Sequence, residues 1–180
     1  REVVLKPGDA APAFSVTTFD GKQIALADLK GKVVMLHFWA MWCSPCVAST
    51  PYVKAMHDKL AADPRFVMIS ISLDDAEHAP RRHAERHELS WPQAVDTRRT
   101  VADAYGVRGA PPMVVIDPDG KILVGGFFYA GLGGAVRYFF GRLNPDGTAD
   151  ASFSPGVDGA VYSIALQQDG LERNAAQAVA

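Results

Sequence analysis

A continuous apolar run from Val33 to Trp39, interrupted only by His37, predicts a central strand that is buried on both faces of a sheet. Asp20-Gly21, which lies between apolar positions, predicts the turn of an amino-terminal β-hairpin. Further apolar segments predict strands at 66–73, 91–95, 113–116 and 121–128.

Segments that are predicted to be helical lie between these strands. Val53, Met56 and Leu60 predict a helix over about 45–62, which Pro51 is expected to kink. Two shorter helices are predicted over 74–88 and 99–105, the second ended by Gly106. Strands that alternate with helices indicate an α/β sandwich.

The last third of the chain differs in composition, since residues 125–170 are rich in Gly, Pro, Asp and Ser. Apolar residues nevertheless recur there at helical spacing, at Val136, Phe139, Phe140 and Leu143. This spacing predicts a closing helix over 131–143. We expect a folded domain over 1–127, a Gly/Pro-rich extension over 128–170 and a disordered tail over 171–180.

Composition and charge describe an ordinary globular protein. The 180 residues are 48% hydrophobic and 21% charged, with a formal net charge of −2. Acidic and basic residues are interspersed, so no nucleic-acid partner and no anionic membrane surface are expected. No apolar run is long enough to span a bilayer. Because the chain begins with Arg1 and not Met, membrane contact is expected only through an anchor that would precede it.

The chain has two cysteines, Cys43 and Cys46. A bridge between them closes too short a loop to brace a fold, so their spacing points to chemistry. Cys43 follows the predicted central strand and opens a helix, where the helix dipole and unpaired N–H groups favour a thiolate. Cys46 lies about one helical turn further on, where it can attack a mixed disulfide formed at Cys43.

Half a zinc site and an inert buried pair are the alternatives to a redox-active dithiol. The zinc site is disfavoured because the chain has no second Cys pair. His83 and His87 have i, i+4 spacing but are expected on a solvated helix face, so no metal is expected. An inert buried pair does not explain why both cysteines lie at one strand–helix junction.

The segment Phe38-Trp39-Ala40-Met41-Trp42-Cys43-Ser44-Pro45-Cys46 resembles the active-site segment of thioredoxins. Pro51 resembles the helix-kinking proline of that family, and residues 106–111 resemble its loop with a cis-proline. Residues 7–14 and the Asp-Gly-Lys turn at 20–22 resemble the TlpA/ResA group of the wider AhpC/TSA redoxin superfamily. The resemblance implies a thioredoxin-like three-layer α/β sandwich with an amino-terminal β-hairpin.

This resemblance, which covers about residues 5–127, also implies the site residues. Cys43 is implied to be the attacking thiol and Cys46 the resolving thiol, with Trp42 beside them. Pro111, if cis, would place the backbone of Ala110 against the substrate chain for strand-like pairing. The alternative is that Pro111 is a simple turn proline.

The implied function is a thiol–disulfide oxidoreductase that reduces protein disulfides through a mixed disulfide. No cofactor is expected beyond the redox-active Cys43–Cys46 disulfide. Expected partners are disulfide-containing protein substrates and a thiol reductase that supplies electrons. The resemblance further implies a monomer located outside the cytoplasm, in a bacterial periplasm or cell envelope.

Two positions depart from the family pattern. His37 stands where thioredoxins have a buried Asp, and Ser49 stands where TlpA/ResA proteins often have a Glu. One hypothesis is that His37 replaces the missing acid as a proton shuttle, because imidazole titrates near neutrality. The alternative is a core histidine that is hydrogen-bonded to a backbone carbonyl.

The chain after Asp119 resembles a single unit of the Delta-60 type β-propeller repeats. The resemblance lies in three segments at 119–128, 142–153 and 159–170, the last with a predicted strand at 161–166. It implies that the extension contains β-structure. One repeat cannot bury its own hydrophobic face.

Two further functions compete with disulfide reduction. A redoxin-type thiol peroxidase would carry a Pro-x-x-x-Thr-x-x-Cys pattern, whereas Cys43 is preceded by Trp-Ala-Met-Trp. A redox-inert binding module would use the domain as a scaffold and bind a partner through the carboxy-terminal repeat. An exposed dithiol disfavours that second alternative.

Overall fold

The computed structural model describes residues 11–107, 112–118, 122–126, 131–132, 135–136 and 140–142. The strands among them are β1 (Ser15–Thr17), β2 (Gln23–Ala25), β3 (Val33–Trp39), β4 (Phe66–Ser72), β5 (Gln93–Val95), β6 (Pro112–Ile116), β7 (Ile122–Gly126), β8 (Gly131–Leu132), β9 (Ala135–Val136) and β10 (Phe140–Arg142). The helices are α1 (Ser44–Ala48), α2 (Thr50–Leu60), α3 (His78–Arg86) and α4 (Thr100–Ala104), with a 3-10 turn at Leu26–Leu29. None of the helices in these ranges is long and apolar enough to cross a membrane.

The central sheet has six strands in the order β10-β7-β6-β3-β4-β5. β3, β4 and β5 run parallel, whereas β6, β7 and β10 pair with their neighbours in antiparallel fashion. β3 lies between β4 and β6, and every residue from Val34 to Trp39 is buried. This confirms the central strand that the apolar run predicts.

Alternating side chains of β3 face two separate apolar cores. On one face, Leu36 and Phe38 belong to a cluster that includes Val101 and Tyr105 from α4 and the residue after it. On the other face, Met35 packs in a cluster with Val53 and Met56 of α2. Helices therefore cover both faces of the sheet, as the predicted three-layer sandwich requires.

The amino-terminal hairpin is present at the predicted turn. β1 and β2 pair antiparallel, with Val16 opposite Ile24. Gly21 has a φ of +85°, a conformation that glycine adopts at little cost. The Thr18 hydroxyl bonds to the Asp20 carboxylate and accepts the Lys22 amide, which closes the turn.

The predicted kinked helix over 45–62 is two helices. α1 ends at Ala48 and α2 begins at Thr50, with Ser49 as the residue between them. Pro51 lies in the first turn of α2, where its missing N–H would have had no helical partner. The proline therefore starts a second helix and does not bend a continuous one.

The predicted closing helix over 131–143 is wrong for the residues described there. β8 pairs with β9, and β10 adds to the sheet edge with Phe140 opposite Gly125. Gly131, Gly133, Gly134 and Gly141 fall within this segment, and each glycine costs a helix about 1 kcal/mol relative to alanine. The glycines outweigh the helical spacing of the apolar residues. The predicted strand at 161–166 and the tail at 171–180 lie outside the described residues.

The Asp96 side chain caps the amino-terminal end of α4. Its carboxylate accepts the backbone N–H groups of Thr100, Val101 and Ala102 at 2.8–2.9 Å, and it is buried. These amides have no partner within the helix, and those of Val101 and Ala102 would otherwise be buried and unpaired.

We expect Asp96→Ala to lower the free energy of unfolding by about 2 kcal/mol, because it leaves buried amides without an acceptor. Urea denaturation of the full chain followed by circular dichroism measures this change. Asp103→Ala is the matched control on the same helix, since the Asp103 side chain is 72% exposed. Equal losses in the two variants would contradict the role given to Asp96.

Candidate active site

The two cysteines lie directly after the central strand. β3 ends at Trp39, a turn follows, and Cys43 occupies the N-cap position of α1. Cys43 and Cys46 form a disulfide, with 5.3 Å between their Cα atoms. The predicted junction of strand, dithiol and helix is therefore present.

The two cysteine residues differ in exposure, although both are largely buried. Cys43 is 8% exposed and Cys46 is 1% exposed, so the expectation of an exposed dithiol is wrong for this disulfide form. Trp42, the residue before Cys43, is 61% exposed and stands at the surface beside the pair. A substrate can reach Cys43 more readily than Cys46, which is the order that the predicted attacking and resolving roles need.

The sulfur of Cys43 accepts a hydrogen bond from the backbone. The Cys46 N–H donates to Cys43 Sγ at 3.3 Å. A donor in this position stabilises negative charge on sulfur, so it favours the thiolate form of Cys43 once the disulfide is reduced. The Ser49 hydroxyl donates to the Cys46 carbonyl at 2.8 Å. Ser49 therefore stabilises the turn around Cys46 through this hydrogen bond. It does not supply a carboxylate there, as the Glu of TlpA/ResA proteins would.

His37 is a buried histidine whose described hydrogen-bond partner is a side-chain hydroxyl. Its Nδ1 lies 3.1 Å from Ser70 Oγ, which also accepts the Trp91 indole N–H at 2.8 Å. Burial lowers the pKa of His37 to about 4, so the ring is neutral at neutral pH. This low pKa disfavours a proton shuttle that titrates near neutrality, so that role of His37 stays a prediction. The described partner of the ring is the Ser70 hydroxyl and not a backbone carbonyl.

His83 is buried, contrary to the expectation of a solvated helix face. Its Nε2 lies 2.9 Å from Thr50 Oγ1, and its ring contacts the rings of Trp39 and His87. Burial is the main cause of its lowered pKa, followed by the charges of His87 and Arg86. Both buried histidines line one cavity, whose lining residues are His37, Trp39, Thr50, Val53, Ser70, His83, Leu89 and Trp91.

The described part of the chain holds no group of three or more His, Cys, Asp or Glu side chains placed to bind a metal ion. His83 and His87, the i, i+4 pair, contact each other through their rings at a centroid distance of 4.3 Å. The Nε2 atom of His83 is hydrogen-bonded to the Thr50 hydroxyl. These two side chains thus act in packing within the described structure.

Asp74 belongs to the site although no motif predicts it. It follows β4, and its carboxylate accepts the backbone N–H of Met41 in the turn before Cys43 at 2.9 Å. A signal for this placement exists, because the carboxyl ends of parallel strands meet at one edge of a sheet. The charged run instead predicts that a helix starts at Asp74, whereas α3 begins only at His78.

The predicted substrate-binding loop lies mostly outside the described residues. Ala110 and Pro111 both fall there, so their roles and the cis bond stay predictions. The loop joins α4 to β6, and β6 pairs antiparallel with β3 with Met113 opposite His37. The start of β6 is therefore beside the end of β3 that leads to the dithiol.

Two family models match this chain. The AhpC/TSA family matches residues 7–124, and a domain of unknown function (DUF5122) described as a beta-propeller matches residues 118–153. The second match agrees with the predicted propeller-type repeat in the extension. The two matches overlap at 118–124, where β7 begins.

Curated relatives share the domain that carries the dithiol. The thiol-disulfide oxidoreductase ResA of Bacillus thuringiensis subsp. konkukian (strain 97-27) is 34% identical over 123 residues, which is 68% of this chain and 70% of that protein. The thioredoxin-like protein YneN of Bacillus subtilis (strain 168) is 33% identical over 123 residues, covering 68% of this chain and 72% of YneN.

Solved structures share the fold. A thiol:disulfide interchange protein from Bacteroides sp. has a TM-score of 0.57 and 30% identity, covering 66% of this chain and 79% of that one. A secreted Mycobacterium tuberculosis disulfide oxidoreductase, homologous to E. coli DsbE, has a TM-score of 0.55 and 26% identity, covering 62% and 81%. With the match over residues 7–124 and the identity to ResA, these likenesses show that the chain belongs to the AhpC/TSA family, as a thioredoxin-fold homologue of thiol–disulfide oxidoreductases.

Proposed function

We propose that this protein is a thiol–disulfide oxidoreductase that reduces disulfides in protein substrates. The observation that carries the proposal is the Cys43–Cys46 disulfide at the end of β3, with Cys43 the more exposed of the two residues and the Cys46 amide directed at its sulfur. The names of the relatives, which include thiol-disulfide oxidoreductases, support the same reaction class.

The reaction begins with the dithiol reduced. The Cys43 thiolate attacks one sulfur of the substrate disulfide, forms a mixed disulfide and releases the other substrate sulfur as a thiolate. Cys46 loses its proton and attacks Cys43 Sγ, which restores the Cys43–Cys46 disulfide and releases the second substrate thiolate. The two released thiolates take up protons, and two electrons have passed from the protein to the substrate.

A second protein completes the cycle. The Cys43–Cys46 disulfide is reduced by the dithiol of a partner thiol reductase through the same exchange in reverse. No cofactor is needed, because all electrons move through sulfur. The proposed substrate surface comprises Trp42, which is exposed beside Cys43, and the backbone of Ala110 with Pro111.

We place this activity outside the cytoplasm, in a bacterial periplasm or cell envelope, and we propose a monomer. A related disulfide oxidoreductase from Mycobacterium tuberculosis is described as secreted, which supports the location. The division into a domain over 1–127, a repeat-like extension over 128–170 and a tail over 171–180 belongs to the same proposal.

His37 has the role of a positioning residue in this proposal. It pairs with Ser70 across β3 and β4, close to where β3 leads into the dithiol. A ring with a pKa of about 4 stays neutral at neutral pH, and a neutral imidazole with so low a pKa is a weak proton acceptor. The buried hydrogen bond to Ser70 therefore accounts for this side chain without proton transfer.

We expect Cys46→Ala to accumulate a mixed disulfide between Cys43 and its substrate, because the resolving thiol is absent. Incubation of the reduced variant with insulin, followed by non-reducing electrophoresis and peptide mass spectrometry, identifies the adduct. Cys43→Ala is the matched control and should trap almost none. Trapping on Cys46 would reverse the assigned roles, and rapid peroxide consumption with slow insulin reduction would favour a thiol peroxidase.

We expect His37→Asn to leave the shape of the pH profile for Cys43 attack unchanged from about pH 6 to about pH 8, since His37 stays neutral there. Stopped-flow measurement of reduced protein against a small aromatic disulfide gives this profile. An inflection that is present in the unmodified protein and missing in His37→Asn would restore the proton-shuttle hypothesis.

We expect acid to destabilise the fold through His37. Its folded pKa of about 4 lies below the ordinary histidine value of 6.5, so the unfolded chain binds more protons between these values. Stability is fully present above the unfolded pKa and falls by up to about 3 kcal/mol as pH drops toward the folded pKa. Urea denaturation across this range measures the slope. His37→Asn should reduce the slope, and an unchanged slope would contradict the attribution to His37.

A further inference from the structure

The turn that leads into the dithiol is held by a side chain from the neighbouring strand. The backbone N–H of Met41 donates to Asp74 Oδ2 at 2.9 Å. Met41 lies inside the turn in which the Cys43 N–H donates to the Ala40 carbonyl at 3.2 Å. A contact at Met41 therefore restrains the middle of the turn that carries Trp42 and Cys43.

The parallel pairing of β3 and β4 brings Asp74 to this turn. Trp39 is opposite Ser72 at the carboxyl ends of the two strands, and the Leu73 N–H donates to the Trp39 carbonyl at 2.8 Å. Asp74 is the next residue along the chain. The end of the ladder thus places its carboxylate next to the residues that follow Trp39.

Ser72 fixes the direction of the carboxylate. Its hydroxyl donates to Asp74 Oδ2 at 2.7 Å and accepts the Asp74 N–H at 3.1 Å. Ser72 is fully buried, so its hydroxyl is shielded from water and pairs with Asp74. One oxygen of Asp74 therefore receives both a hydroxyl from β4 and an amide from the dithiol turn.

We propose that Asp74 is a positioning residue of the dithiol, which holds the Met41 amide so that Cys43 stays in reach of Cys46. Disulfide closure between Cys43 and Cys46 is favoured when the two sulfurs are already held together in the reduced protein. Loss of the Met41 contact frees the turn and makes closure less favourable. The proposal deepens the proposed function, because it concerns the same dithiol, but its test needs no substrate.

Two substitutions separate the hydrogen bond from the charge. Asp74→Asn removes the negative charge and keeps a carbonyl oxygen that can accept the Met41 N–H. Asp74→Ala removes both. A purely electrostatic effect on the Cys43 thiolate would be equal in the two variants, whereas loss of the acceptor affects only Asp74→Ala.

The experiment measures the equilibrium of the full chain with glutathione redox buffers. Free thiols are alkylated, and the oxidised fraction is counted by mass spectrometry. We expect Asp74→Ala to lower the equilibrium constant for disulfide formation by about tenfold, equivalent to about 30 mV toward a more oxidising pair. Asp74→Asn should stay within about threefold of the unmodified protein. Ser72→Ala should shift the constant in the same direction as Asp74→Ala but less.

Asp96→Ala is the matched control, since it also removes a carboxylate that caps backbone amides but lies at α4. It should lower stability and leave the glutathione equilibrium unchanged. An unchanged constant in Asp74→Ala, or equal shifts in Asp74→Ala and Asp74→Asn, would overturn the proposal. If Asp74→Ala does not fold, Ser72→Ala decides in its place, and no shift there overturns the proposal. Absence of insulin reduction by the unmodified protein would refute the proposed function alone.

Discussion

The parallel pairing of β3 with β4 is the constraint on which the site depends. Its register runs from Val33 opposite Phe66 to Trp39 opposite Ser72, so both strands end at one edge of the sheet. The chain after β3 carries Cys43 and Cys46, and the chain after β4 carries Asp74. A shift of one residue would exchange the faces of every side chain on β4 and would remove the contact between Asp74 and Met41.

Three polar rings in the core, those of His37, His83 and Trp91, are paired with small hydroxyl groups. The Ser70 hydroxyl pairs with His37 Nδ1 and accepts the Trp91 indole N–H, and the Thr50 hydroxyl pairs with His83 Nε2. Burial of a ring nitrogen without a hydrogen-bond partner is costly, and each hydroxyl group removes that cost for its neighbour. These pairs join β3, β4, α2 and α3 on the face opposite Leu36 and Phe38.

The carboxy-terminal segment meets the domain at β7. The AhpC/TSA match ends at residue 124 and the propeller-type match begins at residue 118, so both include the start of this strand. β10 then pairs with β7 along the sheet edge. A segment that matches a beta-propeller family model thus supplies an edge strand to a thioredoxin-type sheet. Pairing through main-chain hydrogen bonds makes such an addition possible for many sequences.

The sequence by itself determined the features that depend on local chemistry. The apolar run at Val33–Trp39 marked β3, Asp20-Gly21 marked the hairpin turn, and the spacing of Cys43 and Cys46 marked the disulfide. Tertiary structure decided what depends on neighbours distant in the chain. The burial of His83 against Trp39, the neutral state of His37, and the strand at Phe140–Arg142 each require a partner from another element. Asp74 is the sharpest case, because its role follows from a strand register and hydrogen bonds to Met41 and Ser72, and none of these is encoded in its immediate sequence.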